Sequence, residues 1–276
     1  MSTRYHTGAD LHLHSSYSDG SFSPQEVISH ASALGLNPIA LTDHDTVAGI
    51  PEALRAGNEM EVEVIPGVEI SVHEAKQEIH ILGYFVQWED PAFQRTLNLL
   101  EAQRRERLDE MVRRLDRLGV PVSLSEVLRI AGKGTVGRLH VARTLLAQGA
   151  VSSLHEAFDR FLAQSRPAYV ERREFTARQA ISAIRDARGV AVLAHPGTDG
   201  LTRLPSLIEA GLQGIEVFHP SHTSEEVFTL SRVATEHDLL VTGGSDCHGR
   251  AKGQLQLGQV RLSLEYVERL RQATPA

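Results

Sequence analysis

The chain has 276 residues and a mass of 30.3 kDa, with 41% hydrophobic and 23% charged residues, which excludes a disordered chain and leaves enough material for a sizeable core. Lys plus Arg number 28 and Asp plus Glu 35, and the resulting net charge of −7 argues against stable binding to duplex DNA, which runs on excess basic residues. One cysteine, Cys247, excludes an intrachain disulfide framework and a thiolate zinc cluster. No apolar run approaches the roughly 20 residues of a membrane span, and residues 1–10 lack a secretory apolar region, so a cytoplasmic location is expected.

Short apolar runs suited to buried strands recur at 9–13, 39–42, 64–68, 79–84, 191–194, 214–218 and 239–242. Helix-like stretches lie between them at 24–34, 46–60, 177–188 and 224–237, the first opened by Ser23-Pro24, a cap followed by a proline at the first helical position. Strand–helix alternation of this kind predicts a parallel sheet, and this many units a closed or nearly closed α/β barrel. Residues 91–167 break the rhythm. Leu97, Leu100, Leu108, Met111, Leu115 and Leu118 form a helical stripe there, closed at Pro121. The expected organisation is one discontinuous barrel, 1–90 and 168–276, with an all-helical insertion, 91–167, that contributes to substrate binding.

Fourteen histidines stand out, and many fall at the ends of the strand runs. The first run leads into Asp10-Leu11-His12-Leu13-His14, where strand alternation points His12 and His14 the same way, about 7 Å apart. The second reaches Thr42-Asp43-His44-Asp45, the third Gly67-Val68-Glu69, and the fourth contains His80. Later runs end at Ala194-His195-Pro196 and Ser245-Asp246-Cys247-His248, and Asp19 follows the first strand in Ser18-Asp19-Gly20. In a parallel barrel the strand C-termini converge on one face, so His12, His14, Asp19, His44, Glu69, His80, His195, Asp246 and His248 would meet at one mouth. That many titratable groups need cations to satisfy them. Nine ligands, one of them bridging, suit two to three divalent ions, and an imidazole and carboxylate set without thiolate suits Mn, Fe, Zn or Co rather than Mg alone, with Mn the first expectation.

These ordered motifs resemble those of the polymerase and histidinol phosphatase (PHP) family. The resemblance implies a distorted seven-stranded barrel carrying a trinuclear metal centre. Carried over motif by motif, it implies one ion on His12, His14, Glu69 and Asp246. Glu69 would bridge to a second, held also by His80 and His195, and Asp19, His44 and His248 would hold the third. Cys247, between two ligands, is expected to face away and pack.

A metal centre of this kind implies phosphoester hydrolysis, because clustered ions fix a phosphate, activate water and stabilise the leaving oxygen. Substrate choice is expected from the insertion. Its apolar stripe is interrupted by Arg104, with Arg107 three residues on along the same face, which reads either as a solvated charged turn or as a clamp for a second phosphate or carboxylate. The segment Gly134-Thr135-Val136-Gly137-Arg138-Leu139-His140 opens a helix with Arg138 and His140 in its first turn and is a second candidate anion site. Together with Pro167-Ala168-Tyr169-Val170 and Phe218-His219-Pro220-Ser221-His222, these segments resemble the branch of the family that comprises 3′,5′-nucleoside bisphosphate phosphatases and 5′–3′ exoribonucleases. The branch commonly has proline where Leu139 stands here.

The resemblance implies hydrolysis of the 3′-phosphate of a nucleoside 3′,5′-bisphosphate, or release of nucleotides from short 5′-phosphorylated RNA. Arg104, Arg107, Arg138 and His140 would hold the 5′-phosphate. His222 is a candidate for positioning substrate, moving a proton or bonding to a metal ligand. His6, His30, His73, His155 and His237 are expected to be surface or structural groups. Two other readings stay open: a histidinol-phosphate-type phosphomonoesterase, and a binding module without turnover.

Overall fold

The computed structural model describes residues 8–75, 77–250 and 255–275; His6 and residues 1–7 of the segment read for a leader lie outside them. Seven strands form one sheet in chain order: β1 (Gly8–Leu13), β2 (Leu36–Leu41), β3 (Val64–Glu74), β4 (Gln77–Tyr84), β5 (Val190–Leu193), β6 (Gly214–Phe218) and β7 (Leu240–Gly243). Pairings β1–β2, β2–β3, β5–β6 and β6–β7 are parallel. The segment after β7 returns to β1 through single bridges, Leu13 to Cys247 and Ala9 to Leu262, which close the sheet into a distorted barrel.

The expectation of an all-parallel sheet is corrected at β4, which runs antiparallel to both β3 and β5. The run 64–68 does not stop at Val68. It continues through Ile70 and Val72, apolar at every second position, so the strand extends to Glu74. Only residues 75 and 76 connect it to β4, too few for a parallel crossover, and a hairpin results. Its consequence is functional: β4 begins at the end of the sheet where the parallel strands finish, which carries His80 to the mouth.

Helices α1 (Pro24–Ala33) and α2 (Ile50–Met60) connect the first strands, and Ser23 and Glu26 form a reciprocal cap on α1. Between β4 and β5 the chain builds α3 (Pro91–Arg117), α4 (Leu124–Ala131), α5 (Arg138–Ala147), α6 (Leu154–Ala157), a π-turn at Phe158–Leu162, and α7 (Ala177–Asp186). Helices α8 (Leu204–Glu209), α9 (Ser224–Glu236) and α10 (Leu264–Gln272) complete the barrel's outer layer. None of the described helices is long and apolar enough to cross a membrane.

Helix α3 belongs to two cores. Phe93, Leu97 and Leu100 pack with Val68, Ile70, Ile81 and Ile184 of the barrel. Leu108, Met111 and Leu115 pack with Val127, Val141, Leu145 and Leu162 of the helical segment. The changeover falls at Arg104, which explains the gap in the apolar stripe. Leu118 lies outside that stripe: it follows the last helical residue and is 44% exposed.

Candidate metal centre and anion pocket

The side chains of His12 and His14 project from the end of β1, fully buried. Both Nε2 atoms lie 3.2 Å from Glu69 Oε2, and His14 Nε2 lies 3.0 Å from Asp246 Oδ1, so these four residues form one group of ligand atoms. The other oxygen of Glu69, Oε1, faces His80 Nδ1 at 2.8 Å and His195 Nε2 at 3.1 Å. Glu69 therefore sits between two groups, the geometry of a bridge. A third group gathers His14, Asp19, His44 and His248, with His248 Nε2 3.0 Å from Asp19 Oδ1. His44 reaches two groups, Nδ1 standing 3.1 Å from Glu69 Oε2 and Nε2 4.0 Å from Asp19 Oδ1. All nine sequence-derived candidates thus lie together at the mouth.

Supporting residues fix this geometry. Asp43 accepts hydrogen bonds from Ser15 N (2.7 Å), Ser15 Oγ (2.6 Å) and Ser18 Oγ (2.6 Å), pinning the loop that carries Asp19 to the end of β2. Asp10 Oδ1 accepts from Ser245 N at 2.8 Å, tying β1 to the segment that carries Asp246. Asp45, His195 and Asp246 adopt left-handed backbone with φ of 54°, 28° and 49°, a clustering of strained residues typical of functional sites.

The donor set fits divalent cations. His12 Nε2, His14 Nε2, Asp19 Oδ1, His44 Nδ1, Glu69 Oε2 and His248 Nε2 are buried and make no hydrogen bond among the described residues. Burial would raise the pKa of Glu69, but His44, His80 and His12 outweigh it and hold the carboxyl well below the usual range. The same balance keeps Asp19 ionised against its burial through His44 and His248, and Asp246 through His12 and His14. Cys247 takes no part; its thiol packs beside Leu13, Val27 and Ile28.

Glu216, which sequence reasoning passed over, holds two of the candidate ligands at once. Fully buried in β6, it offers Oε1 to His12 Nδ1 at 3.0 Å and Oε2 to the His195 backbone N–H at 2.8 Å. The first contact places the His12 proton on Nδ1 and leaves Nε2 for an ion. A charged residue inside the apolar run Gly214-Ile215-Glu216-Val217-Phe218 was the available signal.

A cavity of about 170 Å³ adjoins the centre, lined by Asp19, His44 and His80 on one side and by Arg104, Arg138, His140 and Arg172 on the other. Arg104 Nε donates to Asp45 Oδ2 at 2.6 Å and Nη2 to Ser71 Oγ at 2.9 Å, so the guanidinium is held in place. Arg138 packs against the Tyr169 ring and lies 3.5 Å from Glu78. Arg172, absent from the sequence reading, lies 3.1 Å from Glu78 Oε1 and 3.8 Å from Asp45 Oδ2. Its signal was weak: one of two adjacent basic residues in Glu171-Arg172-Arg173-Glu174, made significant only when Phe175 pairs with His73 beside the sheet.

Two expectations are corrected. Arg107 does not line the cavity beside the metal ligands. Its Nε donates to Val170 O at 2.6 Å, and it lines a neighbouring crevice with Ser71, His73 and Phe175. Burial, with Arg172 and Arg138 nearby, pulls its pKa down to about 9, a sign of crowded positive charge. His222 is not free for substrate or proton transfer, because Nδ1 donates to Val217 O at 2.8 Å and Nε2 accepts from Gly197 N at 3.2 Å.

Known proteins resemble the chain in sequence and in fold. The family profile of the PHP domain matches residues 10–119. A 3′,5′-nucleoside bisphosphate phosphatase of Chromobacterium violaceum is 34% identical over 258 residues, 90% of each chain. A 5′–3′ exoribonuclease of Haemophilus influenzae is 37% identical over 256 residues, 91% of this chain and 93% of its own. A crystal structure described as a metal-dependent phosphoesterase, from Bifidobacterium adolescentis, superposes with a TM-score of 0.90 at 30% identity, over 98% of this chain and 97% of its own.

Proposed function

The chain belongs to the PHP domain family and is a metal-dependent phosphoester hydrolase, and from that premise we propose that it removes the 3′-phosphate of nucleoside 3′,5′-bisphosphates. On the same P–O3′ bond it would release 5′-terminal nucleotides from short 5′-phosphorylated RNA. The observation that carries this reading is one cavity with metal ligands on one wall and three arginines on the other, places for two phosphates of one small substrate.

His12, His14, Glu69 and Asp246 would hold one ion, Glu69, His80 and His195 a second, and Asp19, His44 and His248 a third, with Mn²⁺ the first choice for such a nitrogen and oxygen set. Divalent ions bound there supply Lewis acidity toward phosphoryl oxygens and activation of water. The arginines hold the 5′-phosphate. Among the described residues Arg104, Arg138 and Arg172 pair with two carboxylates, Asp45 and Glu78, so the arginine wall itself carries one surplus positive charge, and an arriving phosphate competes with Glu78 for Arg138 and Arg172. His140 Nδ1 accepts from Gly137 N at 3.2 Å, which puts its proton on Nε2 as a neutral donor. We propose residues 91–167 as the insertion that supplies most of this pocket.

The test is a ratio of kcat/KM values, nucleoside 3′,5′-bisphosphate against nucleoside 3′-monophosphate, in the Mn²⁺-loaded wild type and in Arg138→Ala. A hydrogen bond to a charged group is worth roughly 1.5–3 kcal/mol, so the variant should lose about 10- to 150-fold on the bisphosphate and little on the monophosphate. Equal wild-type activity on both substrates, with both slowed alike in the variant, would make Arg138 structural and overturn the bisphosphate reading.

A further inference from the structure

Glu78 and His80 wall two cavities rather than one. The first is the arginine pocket on the side of the helical segment. The second, of about 200 Å³, lies on the side of β5 and the chain that follows it, between Ile79, Leu193, His195, Pro196 and Arg203. Arg203 ends a 3-10 segment, Asp199–Arg203, just after the ligand His195. It is half-buried, and among the described residues its guanidinium makes no hydrogen bond or ion pair. In the first cavity Arg104, Arg138 and Arg172 each have a carboxylate partner.

We infer that the second cavity receives the nucleotide on the 3′ side of the scissile phosphate when the substrate is RNA, with Arg203 pairing with the next phosphate of the strand. The inference rests on the proposed hydrolysis at P–O3′. In that reaction the P–O3′ bond breaks, the oxygen of water joins phosphorus, and O3′ takes a proton. In a nucleoside bisphosphate O3′ departs with the nucleoside 5′-phosphate, and the phosphoryl group leaves the site as free phosphate. In RNA the phosphate remains esterified to O5′ of the following nucleoside, which has to lead away from the metal centre by an opening that the 5′ nucleotide does not fill. The cavity beyond His80 is such an opening. Its apolar wall, Ile79, Leu193 and Pro196, suits a sugar and a base face without reading sequence. Its one guanidinium, uncommitted to a carboxylate, suits a phosphate.

Two measurements test this. The first compares kcat/KM for a 5′-phosphorylated trinucleotide with that for a nucleoside 3′,5′-bisphosphate in Mn²⁺-loaded wild type, Arg203→Ala and Arg203→Lys. The ratio of trinucleotide to bisphosphate is expected to fall about 10-fold or more in Arg203→Ala and to recover largely in Arg203→Lys. The second measures binding of a hydrolysis-resistant phosphorothioate trinucleotide to the Mn²⁺-loaded protein by fluorescence anisotropy across a salt series. Loss of one phosphate contact should make the slope of log K against log salt shallower by about 0.7 in Arg203→Ala. An unchanged ratio, an unchanged salt slope, or equal slowing on both substrates would overturn the subsite. Wild type that hydrolyses the bisphosphate and leaves the trinucleotide intact would also overturn it, while the phosphatase reading stands. Wild type inert on both would remove that reading and this one with it.

Discussion

At His140 burial decides the charge of a single side chain. The ring is 2% exposed, and desolvation pulls its pKa down to about 4, Asp19 opposing and Arg143 and Arg104 assisting. In the unfolded chain a histidine titrates near 6.5. Between 6.5 and 4 the unfolded state therefore binds a proton that the folded state refuses, so stability is full above 6.5 and falls as pH drops through that window. Replacing His140 by Gln, whose Oε1 still accepts the Gly137 N–H, should remove this acid sensitivity. Urea unfolding at pH 7.5 and pH 5 checks it: wild type should lose about 2 kcal/mol more than the variant over that interval. Equal losses would mean that His140 takes up its proton normally. The nine candidate ligands were legible because H-x-H spacing and repeated strand ends are local patterns. Arg172, Glu216 and Asp45 were not, because each matters through what the fold sets beside it: Glu78, His12 and Arg104 respectively. Arg107 was misplaced for a related reason. It lies close to Arg104 along α3, yet the Val170 carbonyl holds it in the next crevice.

Among the elements, α3 links the two halves of the proposed site. Its first half is anchored in the barrel core and its second in the core of the helical segment, so Arg104 stands where the two meet. Leu115 is fully buried in the second core. Leu115→Ala should destabilise the protein by about 2–5 kcal/mol, as buried leucine truncations do. Because the candidate metal ligands lie outside that core, the loss should fall on substrate affinity. The KM for a nucleoside bisphosphate should rise while metal content stays at the wild-type level; a proportional loss of metal would show that the two cores do not behave separately. Of the helices of this region, α3 was legible from its period and α5 from the Gly-rich segment that opens it. The hairpin of β3 and β4 was not, because a run that stops being continuously apolar after Val68 reads as an ended strand, although alternation carries it six residues further. That hairpin is why His80, near the start of its strand, joins residues from the ends of the others.

Over the whole molecule, a net charge of −7 coexists with a local surplus of arginine beside a buried group of three ionised carboxylates. On the proposed function such an arrangement would separate two tasks across one cavity, cations on the barrel side and a phosphate on the side of the helical segment. A binding module without turnover would have no need of a complete ligand set, and a phosphomonoesterase for a substrate with a single phosphate no need of the second wall. Everything rests on the barrel mouth holding more than one ion, with Glu69 joining two of the groups. The most direct measurement is metal analysis of protein purified without chelator, paired with phosphatase activity, in wild type and Glu69→Gln. The expected result is two to three equivalents of a divalent transition ion per chain, at least one equivalent lost in the variant, and activity abolished there. Less than one equivalent in wild type, or full activity in metal-depleted protein or in Glu69→Gln, would contradict it.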